Sequence, residues 1–145
     1  MPWALCCDKC LRGIVMGILN DDMKRVWTEQ RLGFVATVNE DGTPNLSPKG
    51  TMMVCNNDSI MFAEVHSPQT VANPERNTAA EINFVDSISR KDYRFRNRRR
   101  LVSPSDDEYE ELSGYSANWG PLTECVNTVV ILEIEQANKV TSPAY

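Results

Sequence analysis

The sequence predicts a mainly β protein, a small antiparallel barrel, closed or partly closed, with a few short helices. Two observations carry this. Six segments are short, rich in β-branched or aromatic residues and bounded by turn residues, the pattern of strands. Helical spacing is confined to brief stretches, and with so little helix to cover sheet edges, closing the sheet is the economical way to hide them. At 145 residues the chain is sized for one domain with a single modest core.

Residues 1–19 differ from the rest in composition and pattern, and are expected to form a poorly ordered N-terminal extension ahead of a domain over residues 20–145. Three of the five cysteines, Cys6, Cys7 and Cys10, fall in that extension, and Cys7-x-x-Cys10 has metal or redox spacing. A structural zinc site needs four ligands, and Cys55, Cys125 and His66 belong to other elements, so no metal is assigned and the thiols read as free.

Asn20-Asp21-Asp22 signals a helix start, a capping side chain followed by acids that suit the helix dipole. Met23, Val26 and Trp27 follow at helical spacing and should face the core. Residues 32–38 read as the first strand, and residues 39–44, with Asp41-Gly42, as a hairpin turn that tolerates positive φ. A second strand is expected over 45–55, a tight turn at 56–58 and a third strand over 59–63. Ser67-Pro68 opens a short helix, with Ser67 as cap and Pro68 at the first helical position. Strands over 80–85 and 93–102, an acidic helix capped near Ser105 and running to Leu112, and a last strand over 126–134 complete the reading.

Charge narrows the function. A formal net charge of −5 argues against broad nucleic-acid binding, which needs a positive field. No apolar run approaches the roughly 18–20 residues that cross a bilayer. The extension is too interrupted by Asp8, Lys9 and Arg12 to be a signal peptide, so the protein is expected in the cytoplasm.

Three constellations could carry chemistry. Ser47-Pro48-Lys49-Gly50-Thr51 places Pro and Gly badly for a strand interior, which marks a bulge or the close approach of a ligand, with a cation and two hydroxyls beside it. Ser67, Gln69 and Thr70 sit at a helix opening, where free N–H groups suit a phosphate. Arg94, Arg96, Arg98 and Arg100 would share one strand face, with Tyr93, Phe95 and Asn97 opposite. That stripe fits a solvated face, an anionic cofactor or RNA, and should draw acidic partners from residues 106–111. No side chain stands out as acid, base or nucleophile.

In order and spacing, these motifs resemble the flavin-binding split-barrel proteins related to pyridoxamine 5'-phosphate oxidase. The resemblance runs from Gln30-Arg31-Leu32-Gly33-Phe34 through the 41–50 motif, Phe62-Ala63-Glu64, Ser67 to Thr70, Asn73, Asn77 and Phe84-Val85-Asp86. It ends with Arg90-Lys91, Tyr93-Arg94-Phe95 and residues 141–145, so it covers about residues 20–145. It implies a six-stranded antiparallel split β-barrel that binds FMN at the interface of a homodimer, as an oxidoreductase acting on an unidentified small molecule. It further implies Ser47, Pro48, Lys49, Gly50 and Thr51 along the flavin ring and ribityl chain, with Ala63 and Glu64 flanking the ring. Ser67, Gln69 and Thr70 would hold the phosphate with Lys49 nearby; Asn77 would join the site, and Arg90 and Lys91 would reach in from the partner subunit. Asp92 and Asn97 stand where the family usually has Gly, and are expected to keep those turns by tolerating positive φ. The residues by which true oxidases hold their substrate's phosphate are not recognisable, so that reaction itself is not implied. The alternatives are a carrier or sensor holding flavin without turnover, a relative preferring a deazaflavin or haem, and an RNA-binding barrel using Arg94 to Arg100.

Overall fold

The computed structural model describes residues 17–65, 77–126 and 128–140. The order is α1 (Asp21–Gln30), β1 (Gly33–Val38), β2 (Pro44–Lys49), β3 (Met53–Val54), β4 (Ser59–Glu64), β5 (Ala79–Asp86), β6 (Lys91–Val102), α2 (Tyr109–Gly114), short 3-10 turns over Tyr115–Cys125 kinked at Gly120, and β7 (Thr128–Val140). All strands pair antiparallel in one sheet ordered β2-β1-β5-β6-β7-β4-β3. The mainly β, curled antiparallel architecture with little helix is the one expected.

The described residues hold seven strands where six were expected, because the stretch 45–55 is not one strand. Its first part pairs with β1 and its last two residues pair with β4, at the other end of the sheet. The chain leaves one edge at Lys49, crosses through Gly50, Thr51 and Met52, and joins the opposite edge. One segment therefore spans the split between the sheet's two edges. Elsewhere β6 and β7 run longer than expected, β6 starting at Lys91 and β7 ending at Val140.

α1 forms as its sequence dictates. Asn20 Oδ1 accepts from Met23 N at 2.9 Å, and Met23, Val26 and Trp27 are buried. Trp27 packs on Phe84 and Phe95, with ring centroids 4.0 and 5.0 Å away. These rings join Val35, Ile82 and Leu132 in the main core. Leu19 is also in that core, and Leu19 N donates to Asn57 O at 2.9 Å, so packing begins ahead of residue 20. Gly33 is fixed by crowding, since a Cβ there would meet the Phe84 ring at 2.5 Å.

The 39–44 turn is as expected, with Gly42 at φ 84° and Asp41 Oδ1 accepting from Thr43 N at 3.0 Å. The acidic helix differs. Ser105 does not cap it; Asp106 Oδ2 instead accepts from Ser103 N at 2.7 Å in a preceding turn, and the helix runs Tyr109–Gly114. Tyr109, Leu112 and Tyr115 cover a second apolar cluster of Met61, Val102, Val129 and Ile131 on the outer face of β4, β6 and β7. The outer face of β1 and β2 is different, with Phe34, Val38 and Leu46 38, 40 and 65 % exposed.

Candidate functional site

The crossing segment builds the site. Alternation along β2 turns Ser47 and Lys49 inward, opposite Val35 and Gly33 of β1, and turns Pro48 outward beside Phe34. β4 likewise turns Phe62 and Glu64 inward. Lys49 Nζ donates to Glu64 Oε2 at 2.8 Å, with each side chain only 7 % exposed, and the ammonium lies 5.2 Å from the Phe62 ring centroid. Thr51 Oγ1 donates to Ala63 O at 3.2 Å. The structure thus brings Lys49, Gly50, Thr51, Ala63 and Glu64 together where the two sheet edges meet. Among the described residues a Cβ at Gly50 would find only Arg31 O at 4.0 Å, which leaves its backbone open to a neighbour.

The other expected residues are placed as follows. Ser67, Gln69 and Thr70 lie outside the described residues, as do His66, Asn73, Cys6, Cys7, Cys10 and residues 141–145. Asn77 leads into β5, its Oδ1 accepting from Ala79 N at 2.9 Å. Arg90, at φ 54°, closes the β5–β6 turn. Lys91 Nζ donates to Asp22 Oδ1 at 3.2 Å, within the same chain. Asp92 and Asn97 lie in extended β6 and hold no positive φ; Arg90 takes the left-handed conformation instead. The turn is made one residue pair before Asp92, and Asn97 sits at a β-bulge with Arg96.

The arginine stripe alternates as expected, with Arg94, Arg96, Arg98 and Arg100 exposed and Tyr93, Phe95 and Asn97 buried. Its acids come mostly from elsewhere than residues 106–111. Glu81 of β5 takes Arg94 Nε at 3.0 Å and Arg96 Nη2 at 3.8 Å, and Glu135 of β7 takes Arg98. Arg100 pairs with Glu108, the one partner from the acidic segment, and lies 3.9 Å from Glu133. Cross-strand register sets the pairs with Glu81, Glu133 and Glu135, because flanking strands present side chains on the same face.

Two features escaped the sequence reading. Arg99 turns inward and is 4 % exposed, with Nη2 donating to Asn77 O at 2.6 Å and Nε to Thr78 O at 3.4 Å. Burial lowers its pKa to about 10. Asp22 is the second: it accepts from the Tyr93 hydroxyl, from Arg25 Nη2 at 2.8 Å and from Lys91. These partners, Tyr93 first, hold its carboxyl well below the usual range, and the same bond pushes the Tyr93 phenol up. The alternation of burial along 93–102 was the available signal for Arg99, since it puts residue 99 on the Tyr93 face.

Residues 19–137 match the family model of pyridoxamine 5'-phosphate oxidase. The chain belongs to this family. All the candidate site residues, Ser47 through Lys91, fall within the match to the pyridoxamine 5'-phosphate oxidase family. Solved structures agree. HupZ of Group A Streptococcus superposes with a TM-score of 0.75 at 27% identity, covering 86% of this chain and 95% of its own. A Lactobacillus delbrueckii protein, provisionally described as a pyridoxamine 5'-phosphate oxidase, gives 0.70 at 25% identity, covering 83% and 93%. HutZ of Vibrio cholerae, described as a heme storage protein, shares the fold at 0.65 and 17% identity, covering 87% and 95%. No curated protein matches the chain. Among the described residues no helix is long and apolar enough to cross a membrane, and no three His, Cys, Asp or Glu side chains could together hold a metal ion.

Proposed function

We propose that this chain is an FMN-binding flavoprotein that works as a homodimer and uses the flavin for a redox step on an unidentified small molecule. The observation that carries the reading is the gathering of Lys49, Gly50, Thr51, Ala63 and Glu64 at the split of a barrel of this family. The donor set fits a flavin nucleotide: an ammonium, hydroxyls from Ser47 and Thr51, a carboxylate and an open backbone at Gly50 suit a ligand with both acceptors and an N–H donor. Ser47, Pro48, Gly50 and Thr51 would line the ring and ribityl chain, with Ala63 and Glu64 beside the ring. Ser67, Gln69, Thr70 and Asn77 would serve the phosphate end, and Arg90 and Lys91 would complete the site from the partner subunit. Bound flavin would supply hydride or electron transfer, while the protein orients it and sets its surroundings.

The open apolar face of β1 and β2, with Phe34, Val38 and Leu46, supports the dimer, because an interface core is depleted of charge. The carboxylates facing the arginine stripe support flavin over RNA, since they cancel much of the positive field that RNA would need. A cytoplasmic location belongs to this reading and is checked by cell fractionation.

The test is an absorption spectrum of the purified protein during titration with FMN, and separately with a deazaflavin and haemin, with molar mass measured on the same sample. Saturable FMN binding by a dimer is the expected result. Preference for haemin, or a monomer indifferent to FMN, would overturn the proposal. Turnover with a reduced nicotinamide donor then separates an oxidoreductase from a flavin carrier.

A further inference from the structure

The arginine stripe divides into two unequal halves. Among the described residues Arg98 has Glu135 as its acid, and Arg100 has Glu108 with Glu133 a further 3.9 Å contact. Arg94 and Arg96 instead share one carboxylate: Glu81 holds Arg94 Nε at 3.0 Å and Arg96 Nη2 only at 3.8 Å. This half borders a hollow of about 500 Å³, whose lining includes Glu81, Arg94, Arg96, Gln136, Asn138 and Lys139. The lining therefore carries three cationic residues and one carboxylate. The stripe faces outward, whereas Lys49 and Glu64 turn inward, so the candidate flavin site does not account for it.

The β-bulge in the β6–β7 ladder sets the polar row opposite the two arginines. Arg94 pairs with Asn138, Arg96 with Gln136 and Asn97 with Ile134, so Glu135 is the extra residue and both it and Gln136 are exposed. Gln136 Nε2 donates to Asn138 Oδ1 at 3.4 Å, which leaves the Asn138 amide nitrogen able to donate to a ligand. A guanidinium presents several donors in a planar fork, and Glu81 takes one nitrogen of each.

We propose that this hollow is a ligand site for a small phosphate monoester, with Arg94 and Arg96 on its phosphate oxygens and Asn138 as a third donor. A phosphate suits it because a dianion offsets the local excess of positive charge and offers an oxygen to each donor. A hollow of this volume takes a small molecule. The paired arginines at 98 and 100 leave no continuous cationic track for a polymer, which favours a small ligand over RNA. Glu81 occupies the same guanidiniums and so competes with the ligand. The proposal is independent of the flavin reading.

The experiment follows the backbone amide signals of the whole chain by two-dimensional NMR during titration with inorganic phosphate and with ribose 5-phosphate. Sodium chloride at matched ionic strength is the control. Saturable shifts centred on Arg94, Arg96, Gln136 and Asn138 are expected with the phosphates alone, and the tighter probe identifies the source of the phosphate group. Arg94→Gln and Arg96→Gln, both at exposed positions, should each weaken binding about fivefold, whereas Glu81→Gln should tighten it about threefold. FMN affinity should be the same in the arginine variants as in the parent. Shifts reproduced by sodium chloride, or Glu81→Gln binding no more tightly than the parent, would overturn the proposal. So would a matching loss of FMN affinity in the arginine variants, which would make the hollow part of the flavin site. Tighter binding of a short single-stranded RNA than of ribose 5-phosphate at the same amides would replace the small ligand by a polymer.

Discussion

The buried Lys49–Glu64 pair gives the most quantitative prediction. At 2.8 Å and an effective dielectric of roughly 20, the attraction is about 6 kcal/mol. Each ion, 7 % exposed, has lost several kcal/mol of hydration, so the pair adds little net stability over well-packed apolar groups. Removing one partner is different, because it takes the 2.8 Å counter-ion from a buried charge. Lys49→Met or Glu64→Leu alone should destabilise the fold by about 3–5 kcal/mol, whereas the double change should recover most of that. Urea unfolding of the parent, both single variants and the double variant forms a complete cycle. Single costs below about 1 kcal/mol, or costs that simply add in the double variant, would refute a coupled buried pair.

Three further outcomes follow from the same structure. Gly33→Ala should cost about 1–3 kcal/mol and shift the Trp27 emission, because the new methyl meets the Phe84 ring on which Trp27 packs; an unchanged melting point and spectrum would show that the ring yields freely. Leu46→Glu should leave circular dichroism intact and convert the proposed dimer to a monomer in light scattering, and a mass equal to the parent's would rule out this face as the interface. Asp22 has its folded pKa depressed by Tyr93, Arg25 and Lys91, so its stabilisation is present above the unfolded carboxylate pKa of about 3.9 and is lost as the pH falls through the folded value. Asp22→Asn should accordingly be less stable than the parent near neutral pH and converge with it in acid; parallel pH curves would dissociate Asp22 from acid stability.

Local chemistry made the fold legible where it acts over a few residues. The Asn20 cap, the Asp41-Gly42 turn and the two-residue alternation of 93–100 each set their structure through neighbours in sequence. The break in 45–55 was signalled by Pro48 and Gly50, but its meaning was not, because the partner of Met53 and Val54 is a strand edge distant in sheet order. The same limit hid the Lys49–Glu64 pair, whose members are 15 residues apart and meet only when the sheet curls. It hid the acids of the arginine stripe too: Glu81 and Glu135 are partners by register rather than by spacing. Arg99 was masked by its neighbours, since a run of arginines reads as surface until the strand face divides it.

The position of β7 bears on how the molecule comes into being. This last strand lies between β6 and β4, and the β3–β4 pair reaches the remainder of the sheet through it. On a ribosome, β2, β1, β5 and β6 can find one another as soon as they emerge, but residues 53–64 must wait for residues 128–133 to be synthesised. A two-stranded hairpin is marginal alone in water. Its Ile60 and Phe62 therefore lack their β7 neighbours Leu132 and Val130 until the chain is nearly complete, a span in which a holdase would have a defined apolar target. A nascent chain halted before residue 128 should be caught by such a factor, and one released with β7 complete should escape it.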